Sequence, residues 1–491
     1  MSLSFQLVTR VKGALYELVT NQTTIFGRKF FTVYENLPYA AFLNIPYAVS
    51  PLSDLRFKPP KGPHIMHKGG IYDFSKENIA SSVVLNEDLT LSVYMPISNE
   101  KIKSFPIAVW VYEGSYEHGP DFLIEENILV VVVNFRISIL GFLNTDDEFA
   151  KGNMGAKDVL MCLKWIRSNI YLFHGDINKV TVIGSGDGAY VVSSLLVSSA
   201  AEDLFKRVII HGGSALSPVD YGNHNLKVIN KLYQRLYGNT NIINKEKLYG
   251  YLSKAPVETL MAISHDLFDS TEIRDRQRLT RAFGCTVEND KKSSFIYEHP
   301  LEVYHRKFAN YDVDVMFGYC NYDALLKLKH FINRRILLKY LNFNFQYLLP
   351  FFGDSDEYDS KRYKNILKRI KDFYFINGTI TKHSLRRYVK YHTDQVVYPL
   401  VRQARLQSIQ SKDVYLYRFS YNGCFNVKWK KPTPNIFFNS TLEGLLWEPL
   451  RVNQTIKVLS MDKTFKMVNL SEQKRIDFWD KLKQDLFEDN A

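Results

Sequence analysis

The run Val180 to Ile183 enters Gly184-Ser185-Gly186-Asp187-Gly188 and leaves through an apolar stretch, Ala189 to Val197. Strand, glycine turn and helix together are the setting of a nucleophile elbow. There a sharp turn throws one side chain forward to attack an acyl carbon. Glycines surround such a turn because backbones pass closely there. Two side chains in this turn carry an oxygen that could attack, the Ser185 hydroxyl and the Asp187 carboxylate. Gly186, between them, carries nothing.

The elements that must hold this turn are legible around it. Ile107 to Tyr112 and Leu129 to Asn134 are continuous apolar runs. Such runs fit strands buried on both faces, as in a parallel sheet. A helix is predicted over Ala156 to Asn169, with Leu160, Leu163 and Ile166 on one face. Phe30 to Tyr34 and Leu89 to Tyr94 read as shorter strands, with proline turns near Pro51, Pro59 and Pro60. The second half is helix-rich and aromatic. It ends in an amphipathic helix bearing Ile476, Trp479, Leu482 and Leu486, with Ser471 as its expected N-cap. Alternating β and α through the middle argues for one α/β domain with helical insertions, spanning 1–491. No repeat, low-complexity tract or linker divides it.

The formal net charge is 63 − 51 = +12. That suits acidic surfaces such as anionic lipid, acidic glycan or an acidic protein. The basic residues gather at Lys327, Lys329, Arg334, Arg335 and Lys339, then Lys361, Arg362, Lys364, Lys368 and Arg369, then Arg386, Arg387 and Lys390. Tyr363, Phe373 and Tyr388 interleave with them. Solvated helix faces are the plainest reading. No nucleic-acid motif accompanies the charge, so nucleic acid is not an expected partner. Cys162, Cys285, Cys320 and Cys424 show no metal-ligand or redox spacing. Cys162, in an apolar helical run, reads as a packed thiol. No cofactor is implied. The longest dense apolar run, Ile128 to Val133, is far short of a membrane span. The opening MSLSFQLVTRVKG lacks the apolar core of a signal peptide, so the chain is intracellular or has lost a leader or anchor. Sequons stand at Asn21, Asn377, Asn439, Asn453 and Asn469. Chance supplies a similar number, so as glycosylation sites they carry little weight.

Further strings are more specific. They are Asn44-Ile45-Pro46-Tyr47-Ala48 and Leu55-Arg56-Phe57-Lys58-Pro59-Pro60, then Asn134-Phe135-Arg136 and Leu140-Gly141-Phe142-Leu143. Gly152-Asn153-Met154-Gly155, Asp158, Trp165-Ile166, Asn169-Ile170 and Phe173-His174-Gly175-Asp176 follow in register. With these residues the chain resembles the type B carboxylesterase/cholinesterase family over nearly its whole length. The resemblance implies an α/β-hydrolase fold, a twisted and mostly parallel sheet flanked by helices, with a gorge leading to the elbow.

It also implies what is missing. Active members carry serine at the apex, and in register the apex here is Gly186. Ser185 is one residue early. Asp187 could serve only if the turn slid by one, and otherwise reads as a cap on the following helix, where a carboxylate is favourable. The family's glycine-rich oxyanion loop falls on Tyr112-Glu113-Gly114-Ser115. Glycine N–H groups there bind a developing oxyanion. The Glu113 carboxylate would repel it by about 4 kcal/mol at 4 Å and an effective dielectric near 20, unless it is protonated, turns away or belongs to the rim. The family acid falls on Asp323, which can still orient a histidine. The family histidine falls on Asn439, which cannot act as a general base. A family disulfide cysteine would fall near Asp88, and it is absent.

Loss of one triad member costs on the order of 10⁴ to 10⁶ in rate. An inactive, non-catalytic domain is therefore expected. Within the family, substituted elbows resemble the cholinesterase-like adhesion branch, such as neuroligin, neurotactin and glutactin. That branch implies protein binding or cell adhesion at an extracellular or cell-surface location, with a homodimer conceivable. The alternative is a degenerate cytoplasmic carboxylesterase that keeps ligand binding in its gorge, as Gly119-Pro120-Asp121-Phe122-Leu123 suggests, or a weak ester hydrolase.

Overall fold

In the computed structural model the described residues are 14–20, 23–62, 66–67, 69–76, 88–98, 104–112, 119–217, 224–238, 243–265, 267, 283–306, 312–322, 334–345, 360–411, 413–420, 449–450, 454–462 and 465–487. One sheet organises them. Its strands are β1 (Ala14–Thr20), β2 (Thr23–Phe31), β3 (Pro38–Pro46), β4 (Ile71–Asp73), β5 (Thr90–Pro96), β6 (Phe105–Tyr112) and β7 (Leu129–Val133). They continue as β8 (Gly175–Ser185), β9 (Arg207–His211), β10 (Asp314–Cys320), β11 (Val414–Phe419), β12 (Lys457–Met461) and β13 (Phe465–Asn469). The spatial order is β1-β2-β3-β5-β7-β6-β8-β9-β10-β11-β12-β13, with β4 beside β2. From β7 to β12 every neighbour is parallel; the flanking pairs along this order are antiparallel, and β4 joins β2 in parallel. The expected α/β-hydrolase architecture is present.

The apolar runs read from the sequence are the central strands. Val109 and Val111 of β6 and Val130 and Val131 of β7 are buried. Helices cover both faces, as a parallel sheet requires. Before the elbow comes the helix Met154–Asn169, after it the helix Asp187–Leu195. Cys162 lies buried in the first of these, as expected of a packed thiol.

The family strings turn out to be structural joints. Arg136 donates from Nε and Nη2 to the two Asp158 oxygens at 2.8 and 2.6 Å, and from Nη1 to the carbonyls of Arg56 and Lys58. Gly141 and Gly155 crowd the Arg136 carbonyl, and a Cβ at either would stand 2.0 or 2.1 Å from that oxygen. Lys157 pairs with buried Glu288, which also accepts from Asn153. Asp88 accepts from the Ser50 hydroxyl, and its carbonyl accepts from the Asn134 amide.

Three expectations are corrected. The strand expected over Phe30 to Tyr34 ends at Phe31, because Thr32 and Leu37 close a turn through two hydrogen bonds. Ser471 does not cap the last helix, which runs Gln473–Phe487; its hydroxyl donates to Glu472 at 2.9 Å. Tyr363 and Tyr388, read as interleaved with the basic runs, are buried, while Lys361, Lys364 and Lys368 face solvent. The helical half is locked by another buried carboxylate. Asp394 accepts from the Tyr374 hydroxyl at 2.6 Å and from Arg475 Nε at 2.9 Å, and Trp479 donates to that same hydroxyl at 2.8 Å. Among the described residues no helix is long and apolar enough to cross a membrane.

Candidate active site

β8 delivers the chain to the elbow, and the elbow keeps the geometry of an attacking turn. Gly186 has φ 57° and ψ −121°, backbone that a residue with a Cβ adopts only under strain. Its amide donates to the His211 carbonyl at 3.2 Å, which ties the tip to β9. The two flanking glycines are pinned by contact. A Cβ on Gly184 would stand 2.7 Å from Val192, and one on Gly188 would stand 2.1 Å from the Val111 carbonyl oxygen. At Gly186 a Cβ would meet none of the described residues within 4 Å. Of the three, only Gly186 would bring a Cβ against no described residue, and it carries no side chain.

This register decides between the alternatives left by the sequence. The turn has not slid: positive φ sits at Gly186, and Asp187 is already the first helical residue. Asp187 is therefore not the cap, as the sequence suggested. The cap residue is Gly186, without a side-chain hydrogen bond. Exposed Asp187 still favours the helix electrostatically, since carboxylates in a first turn interact well with the helix dipole. Ser185 ends β8 half-buried, paired in register with Tyr112 and with His211.

Tyr112 closes β6 and is exposed. Glu113, Gly114 and Ser115 lie outside the described residues, as do Asp323, Asn439, Asn21, Asn453 and Cys424. Of the sequon asparagines that are described, Asn377 and Asn469 are both exposed.

One group of side chains beside the elbow was not anticipated. His211 at the end of β9 places Nε2 3.3 Å from the Cys320 Sγ at the end of β10. Its Nδ1 lies 2.8 Å from the Tyr417 hydroxyl of β11. These residues are 109 and 206 positions apart in sequence from His211, so no spacing could announce them. The available signal was only that each stands at or near the end of a strand, where open α/β sheets gather their ligands. Among the described residues no cluster of three or more His, Cys, Asp or Glu side chains could hold a metal ion.

Comparison with known proteins agrees with this architecture. The model of the Carboxylesterase family matches residues 16–444. Venom carboxylesterase-6 of Apis mellifera is 26% identical over 404 residues, 78% of this chain and 71% of its own. Juvenile hormone esterase of Tribolium castaneum is 26% identical, covering 79% and 70%, and esterase E4 of Myzus persicae is 28% identical, covering 92% and 81%. Among solved structures, juvenile hormone esterase from Manduca sexta, crystallised with OTFP covalently attached, superposes with a TM-score of 0.74. It is 19% identical and covers 96% of this chain and 100% of that one.

Proposed function

Since the chain belongs to the carboxylesterase family and yet presents a bare elbow, we propose that it has abandoned ester hydrolysis there and works as a binding domain. In this reading it recognises a protein partner at a cell surface, outside the cell. One observation carries it: Gly186 holds the attacking conformation, no described residue lies within 4 Å of a Cβ there, and it supplies no nucleophile. The load-carrying joints of the scaffold, Arg136 with Asp158 and Lys157 with Glu288, are intact. A chain that keeps its shape after losing its chemistry is suited to recognition. A net charge of +12 favours an acidic partner. A homodimer would fit the same role.

A second reading is favoured by the relatives, which are named as esterases. A degenerate carboxylesterase would hold apolar esters in its old gorge, or hydrolyse them weakly.

Purified chain would be offered a fluorophosphonate probe and a panel of esters, then used to capture surface proteins from native membranes. The expected result is no phosphonylated residue in 184–188, no saturable turnover by the Cys320→Ala variant, and a specific membrane protein retained. A phosphonyl adduct in that turn, or saturable ester turnover that survives Cys320→Ala, would overturn the first reading. Retention of a fatty ester without a protein partner would select the second.

A further inference from the structure

The cluster on the neighbouring strands has the parts of a reactive centre of its own. β9, β10 and β11 are adjacent and parallel. Gly318 of β10 pairs with His211 on one side and with Tyr417 on the other, so the three stand level across the sheet. Cys320 follows two residues on, which returns its side chain to the same face. Gly318 makes the arrangement possible. A Cβ there would lie 1.9 Å from the Tyr417 ring. With no side chain in the way, the ring crosses β10 and its hydroxyl reaches His211 Nδ1. The two rings also stack, with centroids 5.6 Å apart. The imidazole is thereby held with Nε2 facing the Cys320 thiol. That thiol is in no disulfide, and all three residues are half-buried at the carboxyl edge of the parallel strands.

We propose that Cys320 is an acyl-accepting nucleophile, with His211 as its base and Tyr417 as a positioning residue for the imidazole. Thiolate is the attacking form of cysteine, and an imidazole in hydrogen-bond reach takes its proton. Sγ attacks the carbonyl carbon of a small ester while His211 Nε2 receives the thiol proton. The carbon–oxygen bond to the leaving alkoxide breaks, and His211 passes the proton to that oxygen. A thioester on Cys320 and a free alcohol result. Water then cleaves the thioester: His211 takes a proton from water and returns it to sulfur, releasing the acid. No other reactant is needed. Cys162 and Cys285 are buried, and burial holds the Cys162 thiol far above the usual thiol range, so neither competes. This inference is independent of the binding role, which requires nothing of Cys320.

The full chain, in a Cys424→Ser background, would be mixed with p-nitrophenyl acetate. A stoichiometric burst of nitrophenolate is expected, followed by slow release. Mass spectrometry should find an acetyl group on Cys320 that hydroxylamine removes. Cys320→Ala should abolish the burst. Cys320→Ser, closer in size, serves if alanine is not tolerated. His211→Gln should slow it by roughly 10²-fold. Tyr417→Phe should slow it less and move its pH profile, which a purely structural role would not. No burst from the parent chain, or an undiminished burst in both Cys320 variants, would overturn the proposal.

Discussion

Arg136 and Asp158 meet as a two-pronged ion pair with both side chains almost wholly out of solvent, 1% and 0% exposed. The pair joins the entry to the helix Met154–Asn169 to the turn at Arg56 and Lys58. Asp158→Ala would leave the guanidinium buried without the Asp158 carboxylate. A loss of about 3–5 kcal/mol is expected, read by urea unfolding of the purified variant. A loss under about 1 kcal/mol would show that the joint is not needed.

The elbow glycines should respond unequally. Gly188→Ala must displace the Val111 carbonyl from 2.1 Å and is expected to cost about 1–3 kcal/mol. Gly186→Ala meets no atom of the described residues and should cost only what positive φ demands, about 1 kcal/mol. Paired thermal melts decide the order. Gly186→Ser should fold and remain near background on p-nitrophenyl esters in the Cys320→Ala background, because Asn439, placed at the base's position by resemblance, cannot accept the serine proton.

Asp394 supplies a pH dependence. Burial pushes its carboxyl up to about 6, against the opposing pull of Arg475 and the Tyr374 hydroxyl. An unfolded aspartate titrates near pH 4. The folded chain therefore binds this proton more tightly than the unfolded chain does. The stabilisation it gives is complete below about pH 4 and is lost as pH rises through about 6. The difference in unfolding free energy between the parent chain and Asp394→Asn should shrink from pH 4 to 6 and level off above. A difference that grows with pH would refute the assignment.

The proposed location is also open to test. Asn377 and Asn469 are exposed and lie in sequons. Fused to a leader and secreted from animal cells, the chain should carry glycans at both, seen as a mobility shift removed by peptide N-glycosidase. Asn377→Gln and Asn469→Gln should each remove one step. Failure to fold in the secretory pathway, with good folding in the cytosol, would favour the second reading.

The central sheet was legible because strands such as Leu129–Val133 are apolar on both faces, a pattern that few other elements share. The glycines of the turn were legible too, and the close contacts of Gly184 and Gly188 and the positive φ of Gly186 give them their physical reason. Ser471 misled because a good capping residue two positions early looks the same as a cap when only the chain order is known. Tyr363 and Tyr388 misled because neighbours in sequence stand about 100° apart around a helix, so Tyr363 turns to the core while Lys364 turns to water. The thiol and imidazole were invisible because strand pairing alone brings His211 and Cys320 together, and the gap at Gly318 that admits Tyr417 has meaning only in three dimensions.

Glycine at position 186 also alters what the turn costs to maintain. An apical serine is tolerated in this conformation only at the expense of the rest of the molecule, and glycine removes that burden. Losing the hydroxyl therefore relaxes the fold. The return substitution to serine runs uphill in stability. On the binding reading proposed above, the empty apex acts as a ratchet: drift can remodel the surrounding loops toward recognition with nothing drawing them back.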